Sequence, residues 1–268
     1  MEIVVALGVL IGAIMGIMGA GGGILAVPVL VAGLHWSMQQ AAPVALVAVS
    51  AGAVVGAIDG FKHRLVRYKA AILMAACGIP MTHLGQLWAH ALPQHVLMGG
   101  FAVLMLMVAR RFYHQAQHTS HASDDVLTLA FISDTTGKFI WTPLTSLVLA
   151  GIGLFSGLMT GLLGVGGGFL IVPLMKRFTN LALPGIVATS LFLISMVSTG
   201  GVVNAVMSGA ALPWFETSAF GVAMVSGMLT GRHLSRKLNP KQVQLGFALL
   251  LLALSCYMMF KAWSHYQG

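Results

Sequence analysis

The sequence predicts an all-α polytopic membrane protein made of two inverted repeats, each a glycine-broken first helix followed by three spanning helices. Three observations predict it. Of 268 residues, 58% are hydrophobic and only 7% charged, where a soluble domain carries about 25% charged residues. One glycine-rich segment occurs twice, 145 residues apart. The basic residues, finally, collect on one membrane face only if the first segment of each half turns back on itself.

The repeat is read directly. Residues 8–28 are GVLIGAIMGIMGAGGGILAVP and residues 153–173 are GLFSGLMTGLLGVGGGFLIVP. Gly8, Gly12, Gly16, Gly19, Gly21, Gly22 and Gly23 coincide with Gly153, Gly157, Gly161, Gly164, Gly166, Gly167 and Gly168, and Pro28 with Pro173. Downstream, SAGAVVGAIDG (50–60) resembles STGGVVNAVMSG (198–209), and LGQLWAHALP (84–93) resembles TGRHLSRKLNP (230–240). Such self-similarity divides the chain into tandem halves, 1–113 and 140–268, joined by a polar linker, 114–139.

Each half offers four apolar segments: near 3–33, 41–60, 68–90 and 94–112, then near 141–175, 182–208, 213–235 and 242–262. The first reads as a membrane segment rather than a cleaved signal, because Glu2 is its only early charge and its apolar run is too long. If all eight segments crossed once, Lys and Arg would divide almost evenly between the two faces. With a first segment that enters and returns, thirteen of fourteen share one face: Lys62, Arg64, Arg67, Lys69, Arg110, Arg111, Lys138, Lys176, Arg177, Arg232, Arg236, Lys237 and Lys241. Lys261 alone lies opposite. The positive-inside rule favours this arrangement and puts both termini outside. An odd number of crossings per half makes the repeat inverted, as in transporters. Trp36, Trp88, Trp141, Trp214 and Trp263, all near segment ends, form an interfacial belt.

Two roles separate the glycines. Gly8, Gly12 and Gly16, and Gly153, Gly157 and Gly161, recur every four residues and make small faces for close helix approach. Packing does not need three glycines in a row. Gly21, Gly22, Gly23 and Gly166, Gly167, Gly168 permit unusual dihedrals and leave backbone N–H groups free. A half-helix beginning at Ile24 or Phe169 would then aim its positive end into the membrane interior, forming an anion site without a cationic side chain. A dinucleotide fingerprint is excluded, since Ile24 and Phe169 stand where its third glycine belongs and no strand precedes either loop.

Polar side chains at bilayer depth add candidates. Ser50, Ser195, Ser198, Thr199 and Asn204, with Thr189 and Ser190, sit in the second segments. Their hydroxyl and amide donors suit an oxyanion that must be held and then released, although Ser and Thr also bond back to their own helix. In PMTHLGQ, His83 and Gln86 lie one turn apart, and an intramembrane imidazole can relay protons. Asp59 stands beside Lys62 and His63 as an interfacial ion pair, and Glu216 near a helix start favours the dipole. His114, His118 and His121 have metal-compatible spacing but read as a solvated linker, with only Asp124 and Asp125 nearby. No metal or cofactor is expected. Cys77 and Cys256, in apolar segments, read as free thiols.

The paired GxxxGxxGxGGGxxxxP segments, the A-T-S of 188–190 and the TGG after Ser198 resemble the TauE/SafE family of sulfite exporters. The resemblance implies a bacterial cytoplasmic (inner) membrane transporter moving sulfite or short organosulfonates, driven by the membrane potential or a proton gradient. Thr189 and Ser190 stand where the first half has Pro43 and Val44, so those hydroxyls come from the second half alone.

Other classes fit less well. A catalytic membrane protein would need a nucleophile–base pair or a metal cluster, and GxSxG, HExxH and paired aspartates are absent. A cation transporter wants midplane carboxylates. A scaffold would not need two matched broken helices. The net charge of +8 is spread over helix ends and does not point to nucleic acid. The expected partners are a small anionic substrate and the lipid bilayer, with a homo-oligomer left open.

Overall fold

In a computed structural model, residues 2–117, 129–131, 139–209, 213–235 and 238–267 are described. Ten α-helices run in order: α1 (Glu2–Met18), α2 (Ala26–Gly33), α3 (Met38–Lys62), α4 (Tyr68–Ala91), α5 (Gln94–Gln117), α6 (Pro143–Leu163), α7 (Gly168–Phe178), α8 (Leu183–Met207), α9 (Trp214–Ser235) and α10 (Pro240–Gln267). A 3-10 turn, Gly19–Leu25, separates α1 from α2. The described residues form no named strand, and Ala130 and Thr179 make an isolated bridge.

Local chemistry sets the boundaries. Ser37 and Gln40 form a capping box that starts α3. At α6, the Thr142 side chain accepts from the Thr145 amide, Pro143 occupies the first turn, and Gly164 ends the helix in the left-handed region. His118, His121, Asp124, Asp125, Lys138, Arg236 and Lys237 fall outside the described residues, while His114 lies in the last turn of α5.

Seven helical stretches among the described residues are long and apolar enough to cross a membrane. The segment α9 is not one of them: Glu216, Arg232 and its Ser and Thr residues dilute it. Its place is against α1. Large apolar side chains such as Leu147, Val222 and Phe260 are exposed, as lipid-facing residues should be. Trp88, Trp141, Trp214 and Trp263 are exposed near helix ends.

The first segment of each half does turn back. A Cβ added at Gly22 would lie 2.4 Å from Met15 Cα, and one at Gly33 would lie 2.5 Å from Leu7 Cδ1, so α2 descends alongside α1. At 1.5 Å rise per residue, α2 and α7 are roughly 12 and 16 Å long, well short of a hydrocarbon core of about 30 Å. Neither crosses. Lys261 Nζ donates to Val31 O at 3.3 Å, which places that lone cation at the carbonyl end of α2.

The first half departs from the expected start of its half-helix. It begins at Ala26 rather than Ile24, because Gly19 (φ +74°) ends α1 and the next residues wind as a 3-10 helix. In the second half α7 begins at Gly168, one residue before Phe169. Pro28 falls in the first turn of α2.

Packing exchanges the halves. The helix α1 lies on α9, α4 on α6, α3 on α8 and α5 on α10. Gly8 meets Phe220, Gly12 meets Met224 and Gly16 meets Met228, so α1 and α9 run parallel; Gly153 meets Met74, Gly157 meets Gly78 and Gly161 meets Thr82 in the same sense. Added Cβ atoms at Gly12 and Gly157 would come within 2.0 Å of Met224 O and 2.2 Å of Gly78 O. The close-approach role of these six glycines is therefore geometric fact. By contrast, Ser50 faces Ser195 and Gly60 faces Ala188, so α3 and α8 run antiparallel. Ser255 bonds to Ala102 O and Phe112 meets Phe247 edge-to-face, so α5 and α10 do too.

These contacts correct one detail of the repeat. Ser50 pairs with Ser195 at a separation of 145, the same interval as the glycines. The likeness of 50–60 to 198–209 is out of register by a helical turn, and the positional equivalent of Ser198 is Ala53.

Candidate functional site

The two glycine turns meet in the interior. A Cβ at Gly168 would stand 2.3 Å from Ala20 O, and one at Gly23 would stand 3.5 Å from Val165 O and 3.4 Å from Val49 Cγ1. Val49 is near the middle of α3, and Ile194, which touches Gly166 and Gly168, is near the middle of α8. All six GGG residues are buried.

Their backbones differ. Gly21, Gly22 and Gly23 lie within the 3-10 turn, whose i→i+3 bonds use their amides, and φ is not positive at any of the three. Gly166 and Gly167 are left-handed, at φ +70° and +62°. Leu170 and Ile171 make the first bonds of α7, both to Gly167 O, so the amides of Gly168 and Phe169 precede the ladder. The second turn is thus the one built as an open helix N-terminus.

Ser198 sits against it. Its side chain is fully buried, its Oγ has no hydrogen-bond partner, and a Cβ on Gly166 would lie 3.1 Å from it. A buried hydroxyl without a partner costs about 1–3 kcal/mol.

The remaining candidates divide among three places. Thr189 Oγ1 accepts from the Arg67 amide at 3.0 Å, and Ser190 Oγ lies 4.0 Å from Met175 Sδ, so both sit at the basic end of α8. Nine residues along the helix separate Thr189 from Ser198, about 13 Å. Near the middle, Ser50 Oγ and Thr199 Oγ1 are 2.8 Å apart, Thr199 donates back to Ser195 O at 2.6 Å, and Ser195 donates back to Phe192 O. These hydroxyls are satisfied within the helices.

The third place is an open cleft of about 670 Å³ that includes His83, Ser195, Thr199 and Asn204. His83 Nδ1 lies 2.6 Å from Asn204 Oδ1, Asn204 Nδ2 donates to Gln86 Oε1, and Gln86 Nε2 donates to Gly201 O at 2.9 Å. Because the Asn204 oxygen accepts, His83 donates from Nδ1 and presents Nε2 away from the chain of bonds. The structure thus joins His83 to Asn204 but holds both apart from the glycine turns.

Asp59 has a partner the sequence did not suggest. Its Oδ2 is 2.5 Å from Arg232 Nη2 and 3.4 Å from His63 Nδ1, with Arg232 rather than Lys62 completing the pair. The contact of α3 with α9 brings Arg232 in from the other half. Gln86 was legible only as a neighbour of His83, and its link to Asn204 depends on how α4 meets α8. Among the described residues no group of three or more His, Cys, Asp or Glu could hold a metal.

The family model described as "Sulfite exporter TauE/SafE" matches residues 4–258. This chain belongs to the TauE/SafE family. Its curated relatives are named membrane transporters. "Probable membrane transporter protein YunE" of Bacillus subtilis is 23% identical, covering 97% of each chain. A "Probable membrane transporter protein" of Xylella fastidiosa strain 9a5c is 26% identical over 96% of this chain and 94% of its own. "Probable membrane transporter protein YjnA" of Bacillus subtilis is 26% identical over 93% and 96%. No solved structure matches. The protein is a TauE/SafE membrane transporter.

Proposed function

We propose that this transporter moves sulfite or a short organosulfonate across the bacterial inner membrane, outward, with the anion held at the second glycine turn. The buried, unpartnered Ser198 hydroxyl beside Gly166 and the start of α7 carries this reading. An oxyanion there would accept from Ser198 and from the Gly168 and Phe169 amides, with the positive end of α7 behind them. The 3-10 turn of the first half closes the opposite wall through Gly23 and Ala20. Hydroxyls and amides without a fixed cation favour release as well as binding.

The antiparallel pairings of α3 with α8 and α5 with α10 support an inverted repeat, and the positive-inside rule then puts the Lys62–Lys69 face in the cytoplasm and both termini outside. Rocking one half against the other would expose the turn to each side alternately.

Proteoliposomes carrying the purified protein provide the test, with labelled sulfite and a panel of competing anions under imposed pH and potential gradients. Sulfite flux that sulfonates compete for is the expected result. Flux of other anions without sulfite would replace the cargo, and no anion flux at all would end the reading. His83 is the proton-coupling candidate: His83→Gln is expected to remove the response to a pH gradient while potential-driven flux persists. An unchanged pH-gradient response in that variant would take His83 out of the mechanism.

A further inference from the structure

Two cross-helix polar pairs occupy equivalent places in the two halves. Asp59 and Asn204 are 145 positions apart, the spacing that relates α3 to α8. Their partners, Arg232 and Gln86, are 146 positions apart, the spacing that relates the glycine contacts of α9 to those of α4. Asp59–Arg232 therefore ties α3 to α9 near one membrane face, and Asn204–Gln86 ties α8 to α4 near the other. The first lies at the basic face with Lys62 and Arg64; the second lies at the face that receives the ends of α4 and α8.

We propose that these pairs are the two gate latches of the transport cycle, and that the structure, with both engaged and Ser198 buried between them, is the occluded state. The proposal rests on the alternating-access reading above. A pseudo-two-fold repeat makes the separation of α3 from α9 at one face the counterpart of the separation of α4 from α8 at the other. A device needed at one gate is then needed at its equivalent. The chemistry of the two is unequal: an ion pair about one-third exposed on the basic face, and a neutral amide pair extended by His83 on the opposite face. Each latch holds its own gate, so loss of one shifts the equilibrium toward opening on that side alone.

Thiol labelling reads this without flux. With Cys77→Ser and Cys256→Ser removing the native thiols, Ser198→Cys places a reporter at the buried site, and a membrane-impermeant thiol reagent is added to sealed vesicles of either orientation. Arg232→Gln is expected to raise labelling from the basic face by about fivefold, the scale of a partly exposed ion pair, with no change from the other face. Gln86→Leu is expected to do the reverse. The swapped pair Asp59→Arg with Arg232→Asp is expected to return labelling to the parent rate. Unchanged labelling in the single variants, acceleration from both faces alike, or a swapped pair no slower than Arg232→Gln would overturn the latches. With flux measured separately in protein that keeps Ser198, one-sided labelling without sulfite flux would support the latches while removing the proposed cargo, and sulfite flux with unresponsive labelling would do the opposite.

Discussion

Gly12→Leu and Gly157→Leu are each expected to destroy the folded protein, seen as loss of a monodisperse peak and of a cooperative thermal transition in detergent. At Gly12 an added Cβ would lie 2.0 Å from Met224 O, and at Gly157 2.2 Å from Gly78 O. Both obstacles are backbone, so no rotamer change relieves them. The helices α1 and α9, or α4 and α6, must part along their length. Overpacking of this kind costs about 3 kcal/mol or more, and it removes the seams that hold the two halves together. Gly99 is the control, with nothing within 4 Å of an added Cβ. Gly99→Ala should leave the fold intact and gain up to about 1 kcal/mol from helix propensity. A stable Gly12→Leu protein would mean that the α1–α9 seam is not where the fold is decided.

Ser198→Ala is expected to move stability and transport in opposite directions. The substitution deletes a buried hydroxyl that has no partner, so thermal stability should rise, by about 1 kcal/mol. Sulfite flux should fall about tenfold or more, since a hydrogen bond to a charged ligand is worth about 1.5–3 kcal/mol. A structural serine would behave otherwise: its loss would lower stability and leave flux alone. Thr199→Val is the useful comparison. Its hydroxyl is satisfied by Ser195 O and Ser50, so its removal should cost stability without the same loss of transport.

Much of the architecture was legible because its signals are strong and local. Apolar length marks helix ends to within a few residues, as with the segments near 41–60 and 68–90 against α3 (Met38–Lys62) and α4 (Tyr68–Ala91). The fourfold glycine spacing told of close approach, because only a missing Cβ lets backbones touch as Gly12 and Met224 do. The site was less legible, since it depends on which face of a helix turns inward. Ser198 and Thr189 look alike in sequence, yet one is left without a partner beside Gly166 and the other caps the Arg67 amide. The two GGG runs are identical strings, yet one winds as 3-10 helix and the other turns left-handed. Asp59–Arg232 could not be read at all, because it joins residues that only the packing of α3 on α9 brings together.

Equilibrium binding of labelled sulfite to the purified protein, parent against Ser198→Ala, tests the central claim most directly, because it separates the anion site from coupling and direction. The account predicts saturable binding in the parent, displaced by short sulfonates, and affinity weakened about tenfold or more in the variant. Equal affinity in the two proteins would place the anion elsewhere and contradict the account.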